Sequence, residues 1–323
     1  MTTLNNKPDV SIVIVTWNGK KYALECLDSL RPVRLKLEVI VVDNASTDGT
    51  PDAIRETYPE VKLIQNTENW GFAKANNIGM AEATSDILCL VNSDVVVSSG
   101  CLEKMVAFMR ANPSVGVLGP KMLSPTGGVG QSVNQFPTVW NYLCFALGFH
   151  LLMPNSKAFG GYILAGYPYD KTEDVDVLTG WFWMIPRAAL EQVGGLDEQF
   201  FMYGEDLDWC YRFVKAGWRV VFFADAESLH YGAASSGQAH SRFYVEMVRA
   251  NLQYFQKHHG TLGSLGFLIA TGIHDLLRVA VYGIVYCFNR YKRPASVMRI
   301  NASLSCLKWL ASGPIQLNQQ VGK

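Results

Sequence analysis

The stretch Leu88-Cys89-Leu90-Val91-Asn92-Ser93-Asp94-Val95-Val96-Val97 decides how the rest of the chain is read. An apolar run stops at Asn-x-Asp and then resumes. In an open α/β sheet, buried strands deliver polar residues to their carboxyl ends, and ligands bind in the crevice beyond those ends. Asp94 stands at such an end and offers oxygen donors suited to a hard cation such as Mg²⁺ or Mn²⁺, which in turn can hold a diphosphate. A strand closed by an Asx-type turn gives the same local pattern, so the neighbouring segments must decide.

Upstream, strand-like and helix-like segments alternate. Ser11–Thr16, Glu38–Val42, Val61–Gln65 and Asp86–Val91 are short β-branched or apolar runs. Helical stretches near Lys20–Leu30, Pro51–Tyr58 and Phe72–Ala83 lie between them, and Thr50-Pro51 reads as an N-cap followed by proline in the first turn. This alternation predicts an α/β fold with a mainly parallel sheet flanked by helices. The first two strands are nearly all apolar, as strands covered on both faces should be.

Downstream, Ser124–Gly130 reads as a loop. Asn141–Met153 is apolar yet shorter than the roughly 20 residues a bilayer span needs. Gly160–Asp174 is expected to be irregular and mobile. A strand is predicted over Val175–Pro186, a helix over Glu205–Ala216 that Gly217 stops, and a strand over Trp218–Phe223.

Bulk properties exclude several classes. Of 323 residues, 49% are apolar and 28 basic side chains balance 28 acidic ones, which argues against disorder and against a nucleic-acid binder driven by net charge. The seven cysteines are odd in number and scattered, with no Cys-x-x-Cys pair. They fit reduced, buried thiols in a cytoplasmic protein better than a disulfide frame or a zinc site. Met1–Asp9 is polar and has no signal-peptide core, so secretion is not expected.

Composition shifts near the C-terminus. Leu262–Phe288 is long and apolar, interrupted only by His274, Asp275 and Arg278, with Lys257 before it and Arg290, Lys292 and Arg293 after. Two readings stand. One is a pair of core helices or a homodimer interface; the other is peripheral contact with the inner face of the cell membrane through 262–293, where the basic cluster meets anionic lipid. The three polar residues count against a full span.

Five further segments carry polar chemistry. The second strand ends in Asp43-Asn44-Ala45-Ser46-Thr47-Asp48-Gly49, where a carboxylate can accept hydrogen bonds from a base or ribose, or can simply build a turn and a helix cap. The first strand ends in Thr16-Trp17-Asn18-Gly19, whose backbone could approach a nucleotide. Gly71 and Phe72 open a helix that continues through Asn76, and Gly71 permits close backbone approach to a ligand. No GxGxxG or Walker loop is present, so dinucleotide or ATP binding is not supported.

Glu205-Asp206-Leu207-Asp208 places three carboxylates at a helix start, where the helix dipole favours acids in any case. One of them, aimed into the crevice, could act as general base. Glu205 and Asp208 share a face, and Arg212 lies on the next turn. His230 precedes a loop of small residues and is either a satisfied structural residue or one that faces a phosphate or cation. Trp181 and Trp183 could wall an acceptor sugar, although at least one is read as core.

In this order, SIVIVTWNG, VVDNASTDGT, GFAKANN, LVNSD and GGLDEQFFMYGEDLDWCYRFVKAGWRV with a later His resemble the inverting GT-A glycosyltransferases of family 2, most closely the rhamnosyltransferase-like branch. The resemblance covers roughly residues 9–236. It implies a GT-A domain over 1–250, with a nucleotide-sugar-binding half (1–120) and an acceptor-binding half (121–250), then a helical extension over 251–323. It implies a nucleotide-diphospho-sugar donor, dTDP-rhamnose being favoured, a glycan or lipid-linked acceptor in cell-surface polysaccharide synthesis, and Mg²⁺ or Mn²⁺. By that resemblance Asp43 contacts the base, Asp94 binds metal with His230 assisting, and Asp206 is the catalytic base. Thr16, Asn18, Asn44, Gly71, Phe72, Asn76 and Asn92 join the donor site, while Trp181, Glu205 and Asp208 join the acceptor site. One departure is Asn92, which stands where the family's metal motif usually has aspartate and brings an oxygen without charge. A sugar nucleotidyltransferase would need a glycine-rich loop that Val10–Lys20 lacks; a non-catalytic carbohydrate-binding protein is the other alternative.

Overall fold

The structure, a computed structural model, describes residues 7–154, 156, 158–164, 166–232 and 240–313. Along the chain the elements are β1 (Val10–Thr16), α1 (Lys20–Leu30), β2 (Leu37–Asp43), α2 (Thr50–Thr57), β3 (Lys62–Gln65), α3 (Gly71–Glu82), β4 (Ile87–Asn92), β5 (Val95–Val97), α4 (Cys101–Ala111) and β6 (Val115–Leu123). They continue as β7 (Val133–Asn134), α5 (Val139–Ala146), α6 (Phe149–Leu152), β8 (Glu173–Asp174), β9 (Val177–Leu178), β10 (Phe182–Pro186), α7 (Arg187–Val193), α8 (Glu205–Lys215) and β11 (Arg219–His230). Three helices close the described chain: α9 (His240–His258), α10 (Gly260–Phe288) and α11 (Arg293–Ala311).

The main sheet runs β3-β2-β1-β4-β10-β6-β11-β5, with β8 also on β11. From β3 to β4 every pairing is parallel, as the alternating pattern predicts. Beyond β4 the sheet is mixed: β10 is antiparallel to both neighbours, β6 and β11 are parallel, and β5 is antiparallel to β11. Register aligns Thr16 with Asp43, Asp43 with Gln65, and Val15 with Asn92, so the polar strand ends share one edge. Ile12, Ile14, Val41, Cys89 and Val91 are buried on one face of the sheet and Val13, Val42, Leu88 and Leu90 on the other, which explains why these strands need apolar residues on both faces.

Three local readings change. Helix α2 begins at Thr50, and Asp48 supplies its cap: Asp48 Oδ1 accepts the Thr50 N–H at 3.1 Å while Gly49 takes φ +80°. The strand predicted over Val175–Pro186 is two strands, because β9 pairs with β7 and the chain then turns at Thr179-Gly180-Trp181 to enter the main sheet. The Trp181 N–H donates to the Thr179 carbonyl at 2.9 Å, a three-residue turn. The last strand does not end at Phe223; β11 passes an irregularity between Phe223 and Glu227 and continues to His230. Asp225 and Glu227 hide that continuation from a hydropathy pattern.

The described residues fall into two compact units. One takes those of Met1–Asn134, Pro168–Phe201 and Glu205–Ser235; the other takes those of Gln135–Tyr167, Met202–Gly204 and Ser236–Lys323. This division differs from a single boundary near residue 250. Residues 135–167 join the C-terminal helices because Tyr142 of α5 packs against Phe267 (4.7 Å between ring centroids) and Phe255 (6.3 Å).

Candidate active site

The parallel half of the sheet ends in a polar shelf. Asp43 is buried at the end of β2, and its Oδ2 accepts the Ser46 N–H at 2.9 Å. Its Oδ1 and the neighbouring Thr16 Oγ1 are both buried with no hydrogen-bond partner among the described residues. Buried polar atoms in a native fold are nearly always satisfied, so two on adjacent strand ends mark a place where a ligand's donors belong.

Backbone bonds extend this shelf past the strands. The Asn44 N–H donates to the Thr16 carbonyl, and the Asn66 N–H to the Asp43 carbonyl, each at 2.9 Å. Asn18, with φ +49°, clips the two loops together: its N–H donates to Ser46 Oγ and its Oδ1 accepts the Thr47 N–H, both at 2.8 Å.

Several expected donor contacts are occupied by the protein itself. Asn44 Nδ2 donates to the Gly71 carbonyl at 3.0 Å, and Asn44 Oδ1 accepts from Asn66. Gly71 has φ +79°, and a Cβ there would meet the Phe201 carbonyl oxygen at 2.4 Å. The close approach that needs glycine is therefore made by Phe201, and the Phe72 N–H donates to the same carbonyl at 2.9 Å. Asn76 is buried within α3 and donates to the Phe72 carbonyl. Gly71, Phe72 and Asn76 thus shape the shelf from behind.

The second cluster forms where β5 pairs with β11. His230 pairs with Val95, and the Tyr231 N–H donates to the Asp94 carbonyl at 3.0 Å, so the Asp94 and His230 side chains meet: Nε2 and Oδ1 are 3.1 Å apart. Asn92 precedes this turn, its N–H bonded to the Trp181 carbonyl at 3.0 Å. The Trp181 ring stacks on His230, with centroids 5.5 Å apart and planes at 24°. Trp181 is only 3% exposed, and its ring packs against the imidazole. Trp183 is core, packed on Trp209.

A carboxylate next to an imidazole, both partly exposed, is a fitting donor pair for a divalent cation whose remaining ligands come from a diphosphate and water. The imidazole nitrogen suits Mn²⁺ better than Mg²⁺. Among the described residues no group of three or more His, Cys, Asp or Glu side chains converges.

The third cluster is the first turn of α8, which the chain enters through two left-handed residues, Tyr203 (φ +68°) and Gly204 (φ +78°). Glu205 is buried, its Oε2 has no partner among the described residues, and its Oε1 lies 3.7 Å from where a Cβ on Gly180 would stand. Burial, then the charge of Asp206, pushes the Glu205 carboxyl up to about 8. Asp206 is half-buried and accepts its neighbour's N–H (Leu207, 2.8 Å). Asp208 does not reach an open surface. It is fully buried and bonded at 2.8 Å to Arg212, whose other nitrogens donate to the Val193 and Gly195 carbonyls. Through Arg212, Asp208 braces the segment before α8.

Sequence reading missed the clamp at Asn77, which donates to the Leu196 carbonyl and accepts the Leu196 N–H at 2.8 and 2.9 Å. Two asparagines in a row on a helix opening were its only trace.

Comparison with known proteins places the chain in a family. The profile of Glycosyl transferase family 2 matches residues 11–194, more than half the chain, and the chain belongs to that family. A relative from Mycobacterium tuberculosis, N-acetylglucosaminyl-diphospho-decaprenol L-rhamnosyltransferase, is 32% identical over 247 residues, which cover 70% of this chain and 77% of the relative. A low-salt glycan biosynthesis hexosyltransferase of Haloferax volcanii is 24% identical over 63% of this chain and 61% of its own. Among solved structures, the mannosyltransferase PcManGT of Pyrobaculum calidifontis, in complex with GDP-Man and Mn²⁺, matches with TM-score 0.58 and 20% identity over 96% of this chain and 89% of that one. The fold is GT-A, and the protein is a glycosyltransferase.

Proposed function

We propose that this enzyme moves rhamnose, with inversion, from dTDP-rhamnose to a hydroxyl of a lipid-linked sugar on the cytoplasmic face of the membrane. The observation that carries the reading is the shared edge. Thr16 and Asp43 stand beside each other, Asn92 follows one strand over, and Trp181 links Asn92 to the His230–Asp94 pair. Gly180, next in the chain to Trp181, adjoins Glu205 and so the start of α8. Support for the sugar and acceptor comes from the mycobacterial relative, named as an L-rhamnosyltransferase of N-acetylglucosaminyl-diphospho-decaprenol. Residues 262–293 are the segment proposed to contact the membrane.

In this mechanism Asp43 Oδ1 and Thr16 Oγ1 accept donors from the nucleoside. Asp94 and His230 would hold a divalent cation, which when bound offsets charge on the departing nucleoside diphosphate. Trp181 keeps His230 aligned. Asp206 accepts the proton from the acceptor hydroxyl as that oxygen attacks the anomeric carbon opposite the leaving group; the C–O bond to the diphosphate breaks and the configuration inverts. Glu205, biased toward its neutral form, leaves Asp206 as the basic member of the pair.

The test is a panel of nucleotide sugars screened by thermal stabilisation with and without Mn²⁺, followed by product analysis with a polyprenyl-diphospho-sugar acceptor. Mn²⁺-dependent stabilisation by dTDP-rhamnose and a rhamnosylated product are expected. Stabilisation by a different nucleotide sugar alone would replace the donor, and binding without transfer would return the non-catalytic alternative.

A further inference from the structure

Zero net charge conceals a division along the chain. Residues 1–246 carry 19 basic and 27 acidic side chains, whereas residues 247–323 carry nine basic ones and a single acid, Asp275. Asp275 is fully buried and accepts the Tyr244 hydroxyl at 2.8 Å. Glu246, just before this region, pairs with Arg249, and the remaining cations of the C-terminal region far outnumber its acids.

Helix α10 adds a second asymmetry. Ser264, Phe267, Ala270, Thr271 and Asp275 face inward. Every exposed residue from Leu262 to Phe288 is apolar, tyrosine or cysteine. Leu262, Leu265, Ile269, Leu276 and Ile284 follow helical spacing on the opposite face, in a stripe about 33 Å long at 1.5 Å per residue. At the C-terminal end of the stripe, Tyr282, Tyr286 and Tyr291 lie under the guanidinium groups of Arg299, Arg293 and Arg290, at 4.7, 5.1 and 4.9 Å. Tyrosine and arginine together suit the headgroup level of a membrane. In the same unit, Phe145 lies against both His150 of α6 and His274 of α10, which sets α6 beside α10. There Leu151 and Leu152 are 76% and 77% exposed, followed by an exposed Met153.

We infer that this face docks on an anionic lipid bilayer, with α10 lying in the plane of the interface and Leu151–Met153 entering as a second wedge. This rests on the membrane contact proposed above and adds the orientation of α10 and a second insertion point. Charge selects the occupant: two copies joined through this face would oppose two cationic collars, whereas anionic headgroups neutralise one. Orientation follows from the neighbours of α10. Arg299, Asn301, Ser305 and Lys308 of α11 are exposed, and α11 packs along α10, so a transbilayer α10 would carry them into hydrocarbon.

The test is sedimentation of the full chain with vesicles of phosphatidylcholine alone and of phosphatidylcholine mixed with phosphatidylglycerol, without donor or acceptor, so that its failure is separate from failure of the transfer reading. Binding is expected only with phosphatidylglycerol. Replacing Arg290, Lys292 and Arg293 by Gln should weaken it about a hundredfold, at roughly fivefold per cation. Leu276→Gln with Ile284→Gln, and separately Leu151→Gln with Leu152→Gln, should each weaken it while the melting temperature is kept. A fluorophore on Cys287, or on Thr261→Cys with Cys287→Ser, should be quenched to similar, shallow depth by headgroup-proximal quenchers. Equal binding to both vesicle types, or self-association abolished by the same substitutions, would overturn the bilayer assignment. Labels at opposite depths would overturn the in-plane orientation.

Discussion

The two halves of the sheet bring polar groups to the same edge by different means. From β3 to β4, parallel pairing does the work: strands that start in register end in register, so Thr16, Asp43 and Asn92 line up without special turns. Their loops are then pinned by backbone donors, such as Ser46 N–H on Asp43. From β10 to β5 nothing lines up by default. Trp181 arrives after a strand leaves one sheet for another, Asp94 and His230 meet across an antiparallel pair, and Glu205 follows two left-handed residues. On the proposed mechanism, a regular lattice holds what must be bound and irregular backbone holds what must react, where such departures commonly gather.

If this division is real, substitutions in the irregular half should act on turnover and metal dependence, and those in the regular half on donor affinity. The largest effect is expected at Asp206. Asp206→Asn should lower transfer by about a thousandfold, within the range for loss of a general base, while donor binding stays near that of the parent. Normal turnover by that variant would remove the base assignment. Next come Asp94→Ala and His230→Ala. Each should cost Mn²⁺-supported donor binding about a hundredfold, in line with the several kcal/mol that a bound cation contributes to a charged leaving group. Affinity that is equal with and without chelator, in parent and variants alike, would count against the pair as a metal site.

A smaller effect is expected on the regular half. Asp43→Asn keeps an oxygen for the Ser46 N–H and turns the unpartnered Oδ1 position into a donor. Donor affinity should fall about tenfold, the worth of a buried hydrogen bond to a charged group, with kcat unchanged. A loss in kcat at saturating donor would erase the contrast between the halves.

The same contrast governs what could be read from sequence. Parallel strands covered on both faces announce themselves as continuous apolar runs, so β1, β2 and β4 and the polar residues that end them were legible. So was the acid cluster, since three carboxylates at a helix start are visible as text. What was not legible depends on partners distant in sequence. That Trp181 lies beneath His230 and that Gly71 makes room for Phe201 are outcomes of packing between segments 49 and 130 residues apart, whereas the Arg212 partner of Asp208 sits one helical turn away and was visible as a candidate. The extension of β11 past Phe223 was hidden because Asp225 and Glu227 interrupt the pattern while the pairing continues. The glycine and tryptophan types were informative; the atoms they would face were not.

The finest test concerns Glu205, whose carboxyl burial and the Asp206 charge push up to about 8 from an ordinary 4.5. The folded protein keeps this proton over a range in which the unfolded chain releases it. Stability from this group is therefore complete below about pH 4.5 and is lost as pH rises toward 8. Glu205→Gln cannot titrate and fills the same volume, so its melting temperature should fall less steeply than the parent's between pH 5 and pH 8, with the two curves closest at the acid end. Parallel curves over that window would mean that Glu205 is charged in the folded protein. Two adjacent carboxylates would then share one negative neighbourhood, and Asp206 would lose the neutral partner that sets it apart as the base.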